Sequence, residues 1–223
     1  MKKIFVLLAA FFAAIQFSEA QTEKGTQTLG ANFGFNYTNV NDNTNNQGTE
    51  NTKTSNFNIG PVYSYFIKNN LELGASLSYT ASKITYYDPS DPTYNGGYPE
   101  NQNSNNYSAS VFIRKYFMFN HNLGFRTGGY IGYSGGNSKS TYTATDIIYN
   151  YNNKTSYYSA GGNLDLVYYP TKKVGLSATL LNLEYYHYKA NATTQGYGSG
   201  DSFTFNLVDR GVALSIFYVF GPK

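Results

Sequence analysis

The sequence predicts an all-β chain: an eight-stranded antiparallel up-and-down transmembrane β-barrel preceded by a cleaved signal peptide. Three observations carry that expectation. Segments of about 10 residues alternate between bulky apolar and small or polar side chains, and roughly 9 to 11 residues is the length a tilted strand needs to cross a hydrocarbon core. Tight turns centred near Asn69, Asn120 and Thr171 recur at a spacing of 51 residues, with every long polar segment at the other end of the strands. Aromatic residues make up 18% of the chain (24 Tyr, 16 Phe, no Trp) and charged residues only 13%, about half the charge of a soluble domain. Tyrosine at that density suits interfacial girdles, where a ring with one polar tip meets the headgroups.

The N-terminus reads as an export signal over residues 1–20, leaving residues 21–223 as one barrel domain. Lys2 and Lys3 precede an apolar run from Ile4 to Phe17, and Ser18 and Ala20 are the small residues before a cut at Gln21. Loss of Lys2, Lys3 and Glu19 takes the formal charge from +3 to +2, so no strongly basic surface argues for nucleic acid. The absence of cysteine removes disulfides, thiolate metal sites and N-terminal lipidation from consideration.

In chain order, the first strand carries Leu29, Ala31, Phe33, Phe35 and Tyr37 on one face and Gly30, Asn32, Gly34 and Asn36 on the other. Residues 41–53, dense in Asn and Thr, read as a loop. A hairpin over 56–80 follows. Its first arm sets Phe57, Ile59, Tyr63 and Tyr65 against Asn58, Gly60 and Ser64, and its second sets Leu71, Leu73, Ala75 and Leu77 against Glu72, Gly74 and Ser76. Residues 84–106 read as a second loop, in which Asp88-Pro89, Asp91-Pro92 and Gly96-Gly97 signal turns rather than a calcium site. The fourth strand presents Ala109, Val111, Ile113 and Phe117 against Ser110, Phe112, Arg114 and Tyr116; the fifth presents Leu123, Phe125, Ile131 and Tyr133 against Arg126, Gly128 and Tyr130. After a third loop over about 135–154, the sixth strand sets Tyr158, Leu164, Leu166 and Tyr168 against Asn163, Asp165 and Val167. The seventh begins with Val174, Leu176, Ala178 and Leu180, and its slipped alternation at Leu181–Leu183 predicts a β-bulge. The eighth ends the chain as Leu214, Ile216, Tyr218 and Phe220.

Alternation alone leaves open which face is inside, since a soluble barrel or sandwich buries the bulky face and a membrane barrel exposes it to lipid. The phrase GPVYSYFIKNNLELGASLSY, its echo NLDLVYYPTKKVGLSATL, the stretch VFIRKYF and the aromatic ending SIFYVF resemble the outer-membrane β-barrel family of Gram-negative bacteria, of the porin-like OmpA/OmpX type. The resemblance implies a bacterial outer-membrane location, contact with outer-membrane lipid and lipopolysaccharide, insertion by the barrel assembly machinery, no cofactor and no nucleic acid. With the barrel and the sparse catalytic signals of the chain, the reading is a structural or porin-like envelope role rather than an enzyme, with a surface adhesin or ligand receptor and an outer-membrane hydrolase as alternatives.

An eight-stranded barrel has an interior just wide enough for side chains, so charges on its inner face matter. The candidate lumenal charge cluster is Glu72, Arg114, Arg126 and Asp165. Arg114 and Arg126 are both six residues from Asn120, which predicts two guanidinium groups near-opposite in one hairpin, with Glu72 and Asp165 neutralising them from flanking strands. The cluster reads as an ion-pair plug, with a gate or narrow path as its alternative. Catalytic signals are sparse. His187 precedes a predicted loop ending Ser199, Gly200, Asp201 and Ser202, the only set a rim hydrolase would use. Tyr94, Tyr98, Tyr142, Tyr149 and Tyr151 in polar segments leave adhesion or ligand capture as another reading.

Overall fold

The computed structural model describes residues 22–44, 48–87, 101–144, 147–192, 196–207 and 214–221. The expected signal peptide over residues 1–20, the turn signals at Asp88–Pro92 and Gly96–Gly97, and Tyr94 and Tyr98 lie outside them.

Among the described residues, nine antiparallel segments follow in chain order: β1 (Gln27–Thr44), β2 (Gly48–Lys68), β3 (Leu71–Tyr87), β4 (Asn101–Met118), β5 (Leu123–Ala144), β6 (Ile147–Thr171), β7 (Val174–Ala192), β8 (Gly196–Leu207) and β9 (Leu214–Phe220). Each pairs with its chain neighbour from β1 to β7. β8 pairs with the upper part of β7, from Leu181 to Ala192, and β9 with its lower part, from Val174 to Ala178. The two are therefore successive lengths of one eighth stave. Pairing of β9 with β1, from Gln27↔Phe220 to Phe33↔Leu214, closes the ring of eight staves.

The bulky stripe faces outward. Leu73, Leu77, Val111, Ile113, Ile131, Phe205 and Ile216 are exposed, with Leu77 at 59% and Ile131 at 62%, values that no water-facing core stripe tolerates but that lipid welcomes. At the upper edge of this band each stave contributes one aromatic: Phe35, Phe57, Tyr79, Tyr107, Tyr133, Tyr158, Tyr185 and Phe203. Neighbouring rings touch, with centroids 5.1 Å apart for Tyr79–Tyr107 and for Tyr133–Tyr158.

Two of the three expected loops are strand over their described residues: that over 41–53 is the top of the β1–β2 hairpin, and that over 135–154 is the top of β5–β6, a pair of 22 and 25 residues. Of the expected loop over 84–106, residues 84–87 and 101–106 are the ends of β3 and β4, and 88–100 lie outside the described residues. Above the membrane both faces of a strand meet water, so no apolar alternation marks it. Side chains carry the pairing instead, as in Thr85 to Asn101, Gln102 to Ser138 and Thr141 to Asn150. The segment Ser199–Ser202 likewise lies within β8. The bulge falls at Leu180, one residue before the expected Leu181–Leu183, because Leu164 pairs with Leu181 while Asp165 pairs with Thr179.

The lower rim is laced by hydrogen bonds from each turn to the next hairpin. Tyr116 N–H donates to Asn70 O, Tyr169 N–H to Asn122 O, and Val219 N–H to Lys173 O. Asn70 turns the first hairpin with φ +61°, a conformation Asn tolerates better than most residues. Inside the lower barrel, Phe66, Tyr116, Val167, Tyr169, Phe217 and Val219 form the one apolar core of the described residues.

Candidate functional site

Four successive staves each place one charge on the inner face just above this core. Glu72 on β3 and Arg114 on β4 are direct register partners, as are Arg126 on β5 and Asp165 on β6. Arg114 and Arg126 do not oppose each other. The β4–β5 ladder is centred on His121, one residue later than expected, because the Asn120 side chain accepts from the backbone N–H groups of Asn122 and Leu123 and so enlarges the turn. Arg126 consequently faces Tyr116 and Arg114 faces Gly128.

Arg126 is the hub. Its Nε donates to Asp165 Oδ2 at 2.7 Å, its Nη1 to Tyr116 Oη at 3.1 Å and its Nη2 to Ser177 Oγ at 2.9 Å. Tyr116 in turn donates to Glu72 Oε2 at 2.8 Å, and Arg126 Nη1 lies 3.9 Å from the same oxygen. The second Asp165 oxygen accepts from Asn163 Nδ2 and Thr179 Oγ1, each at 2.9 Å. Exposure is 1% for Glu72 and Asp165, 2% for Tyr116 and 5% for Arg126. Charges this deep persist only when paired and hydrogen-bonded throughout, a condition the Arg126 contacts meet. The network runs from β3 across the barrel to Ser177 on β7, and the Arg126 guanidinium sits between the rings of Tyr116 and Phe217, 5.9 and 5.7 Å from their centroids.

Arg114 stands apart. Its guanidinium lies 3.8 Å from the centroid of the Phe112 ring, and its Nε has no hydrogen-bond partner. Among the described residues it forms no ion pair within 4.0 Å. The structure therefore brings together Glu72, Arg126 and Asp165 and leaves Arg114 beside them, with two positive and two negative charges in one section of lumen. Tyr116 and Ser177 belong to the network although neither is charged. Tyr116 was legible as an inward tyrosine two residues from Arg114, whereas Ser177 carried no signal of its own.

Above the network the lumen is polar, with Glu184 of β7 on the inner face beside Tyr130. Ser76 pairs with Ser110 at 2.7 Å, Ser78 with Ser108 at 2.6 Å, and Asn58 donates to Thr80 at 2.8 Å. Side-chain hydroxyls and amides there satisfy one another across neighbouring strands.

The histidine rim site is on the outside of the barrel. His187 Nδ1 is 2.9 Å from Asp201 Oδ1, which also accepts from Tyr185 Oη at 2.6 Å. Hydrogen bonds from Tyr185 and then His187 hold the exposed Asp201 carboxyl below its ordinary range. Ser202 lies on the opposite face of β8 from Asp201 by strand alternation, so it does not complete a triad with them. Among the described residues no three His, Cys, Asp or Glu side chains gather to hold a metal ion.

A family model described as outer membrane protein beta-barrel domain matches residues 19–187. No curated protein matches the chain. Among solved structures, the outer membrane protein OprG from Pseudomonas aeruginosa is 11% identical, with a TM-score of 0.50, covering 92% of this chain and 100% of that one. A major outer membrane protein from Thermus thermophilus is 12% identical, with a TM-score of 0.43, covering 89% and 100%. The N-terminal β-barrel domain of Pseudomonas aeruginosa OprF is 16% identical, with a TM-score of 0.35, covering 88% and 98%.

Proposed function

The chain belongs to the outer membrane protein beta-barrel domain family and resides in the bacterial outer membrane, and from that premise we propose that it is a structural envelope barrel whose lumen is closed by the Arg126 network. The observation that carries the reading is the span of that network, from Glu72 on β3 through Tyr116 and Arg126 to Asp165 on β6 and Ser177 on β7, with its charges at 5% exposure or less. An apolar core of Phe66, Val167, Tyr169, Phe217 and Val219 packs beneath it. A solute entering from the upper rim meets a polar well that carries Glu184 and then a floor of charges over aromatic rings.

This is a non-enzymatic role. Among the described residues the outward His187–Asp201 pair is joined by Tyr185, with Ser202 on the opposite face and Ser199 across from Lys189; His187→Ala leaves the protein's properties intact apart from local rim structure. Proteoliposome swelling tests the closed lumen: vesicles holding the wild-type barrel swell in isotonic small sugars no faster than empty vesicles. Sugar-dependent swelling that scales with protein content would replace the structural role with a porin.

A second reading rests on the height of the upper wall. β5 and β6 reach 22 and 25 residues, at least twice the roughly 9 to 11 needed to span the membrane. That wall offers Tyr151 and many Asn, Ser and Thr side chains for surface attachment, and removal of the upper β5–β6 hairpin would abolish attachment while leaving the barrel folded.

A further inference from the structure

One side of the well above the Arg126 network is walled by tyrosine. Tyr130 on β5, Tyr157 on β6 and Tyr186 and Tyr188 on β7 share the inner face by strand alternation, and all are half-buried, so each keeps part of its ring in the lumen. They stand near the height of the outward girdle, since Tyr157 adjoins Tyr158 and Tyr186 adjoins Tyr185 in sequence. Glycines on neighbouring strands let two of these rings lie down. Tyr130, Gly161 and Glu184 form one register row across β5, β6 and β7, and Tyr157, Tyr188 and Gly200 form another across β6, β7 and β8. A Cβ at Gly161 would meet Tyr130 Oη and Cζ at 2.7 and 2.8 Å, and one at Gly200 would meet Tyr188 Oη and Cε1 at 2.7 and 2.8 Å. The tips of both rings therefore rest over bare backbone. Tyr157 meets Tyr186 and Tyr188 with centroids 5.9 and 6.4 Å away and planes at 76° and 45°, so the three rings turn their faces in different directions around one corner.

Glu184 lies on the same inner face of β7, just below this corner. Its carboxyl is beside Tyr130, whose hydroxyl donates to Asn182 Oδ1 at 3.3 Å. Glu184 forms no ion pair within 4.0 Å among the described residues. In the floor beneath, Arg114 and Arg126 balance Glu72 and Asp165, and Glu184 is outside that balance. Among the described residues the inner face above the floor carries no lysine or arginine. The wall thus presents one uncompensated negative charge among tyrosine rings.

We propose that the upper lumen binds a small organic cation of the quaternary ammonium class, with Glu184 as its counter-charge and Tyr130, Tyr157, Tyr186 and Tyr188 as its aromatic wall. An anion is repelled by Glu184. A divalent metal ion wants several hard oxygen ligands, and no three acidic or histidine side chains gather here among the described residues. A neutral sugar would stack on the rings but leave the carboxylate without a counter-charge. A quaternary ammonium uses both features, because its positive charge is drawn to ring faces within about 6 Å of their centroids and to the carboxylate between them.

The test is isothermal titration calorimetry on the full chain folded in micelles of a nonionic polyoxyethylene detergent, with choline as the probe. Its neutral tert-butyl analogue, in which carbon replaces the ammonium nitrogen, has the same shape and binds at least about tenfold more weakly. Glu184→Gln weakens choline binding at least about tenfold. Tyr186→Leu weakens it several-fold, and Tyr186→Phe, which keeps the ring, does not. Asp201→Asn removes an outward carboxylate near the same height and leaves binding within about twofold, as expected for a charge screened by solvent. Absence of choline binding by the wild-type barrel, equal binding of the neutral analogue, undiminished binding by Glu184→Gln, or an equal loss from Asp201→Asn would overturn the proposal. Maltose bound in place of choline would overturn it too, giving the well to a neutral sugar. Binding is read without flux, so these results are separate from whether the floor conducts.

Discussion

Arg126 and Asp165 face each other as direct partners across the β5–β6 ladder, joined by a 2.7 Å bond from Nε to Oδ2 and buried to 5% and 1% exposure. Removing one partner leaves the other as an uncompensated buried charge. Asp165→Ala is expected to cost about 3 to 5 kcal/mol. The double variant Arg126→Ala with Asp165→Ala is expected to cost less than the two single changes together, because no uncompensated partner of that pair remains. Denaturant midpoints in micelles for the three variants check this, and strict additivity would mean the pair does not interact.

Tyr116 couples the two carboxylates through one hydroxyl, donating to Glu72 while accepting from Arg126. Tyr116→Phe keeps the ring packed 5.2 Å from Phe66 and deletes only the oxygen. The expected cost is about 1.5 to 3 kcal/mol, the range for hydrogen bonds to charged groups. A neutral outcome in the same unfolding assay would place Glu72 on water rather than on Tyr116.

Leu73 faces lipid at 48% exposure, whereas Ser76 faces the lumen and bonds Ser110. Leu73→Lys should cost about 2 to 4 kcal/mol near the midplane, and Ser76→Lys should be limited by space alone. Folding yields in lipid vesicles compare them. A Leu73→Lys chain that inserts as well as wild type would contradict the outward orientation of the apolar stripe.

Gly128 is held glycine by its neighbour strand. A Cβ there would run into the backbone carbonyl of Ile113 and the Cα of Arg114, while at Gly34 it would meet only Asn58 Cβ at 3.5 Å. Gly128→Ala is therefore expected to destabilise by about 1 to 3 kcal/mol as an overpacking change, and Gly34→Ala to be near neutral. Midpoints for the two variants separate close strand approach from general glycine entropy, since the latter would stabilise both.

What the sequence made legible follows from where the environment differs between the two faces of a strand. Leu73 against Glu72, or Ile131 against Gly132, announces its face because lipid lies on one side and a narrow lumen on the other. Alternation sets Phe66, Phe112, Val167 and Phe217 on the inner face with Ser64, Arg114, Asp165 and Ser215; what it does not announce is their bulk, which for Phe66, Val167 and Phe217 follows from a place beside the turns, where the lower lumen is filled. Above the girdle the signal vanishes. Thr85 and Asn101 pair in a strand that meets water on both faces, so no periodicity betrays it. The one-residue register difference at Asn120 arises from side-chain capping of the turn, and it decides whether Arg126 meets another arginine or Tyr116.

The closed lumen is tested most directly by single-channel conductance in planar bilayers, comparing wild type with Asp165→Ala under one salt and voltage. The account predicts no resolvable channel for wild type and discrete openings for Asp165→Ala, because a stranded Arg126 draws water into the floor of the well. Wild-type openings of the same size as those of the variant would contradict it, since the Arg126 network would then be a lining and not a seal.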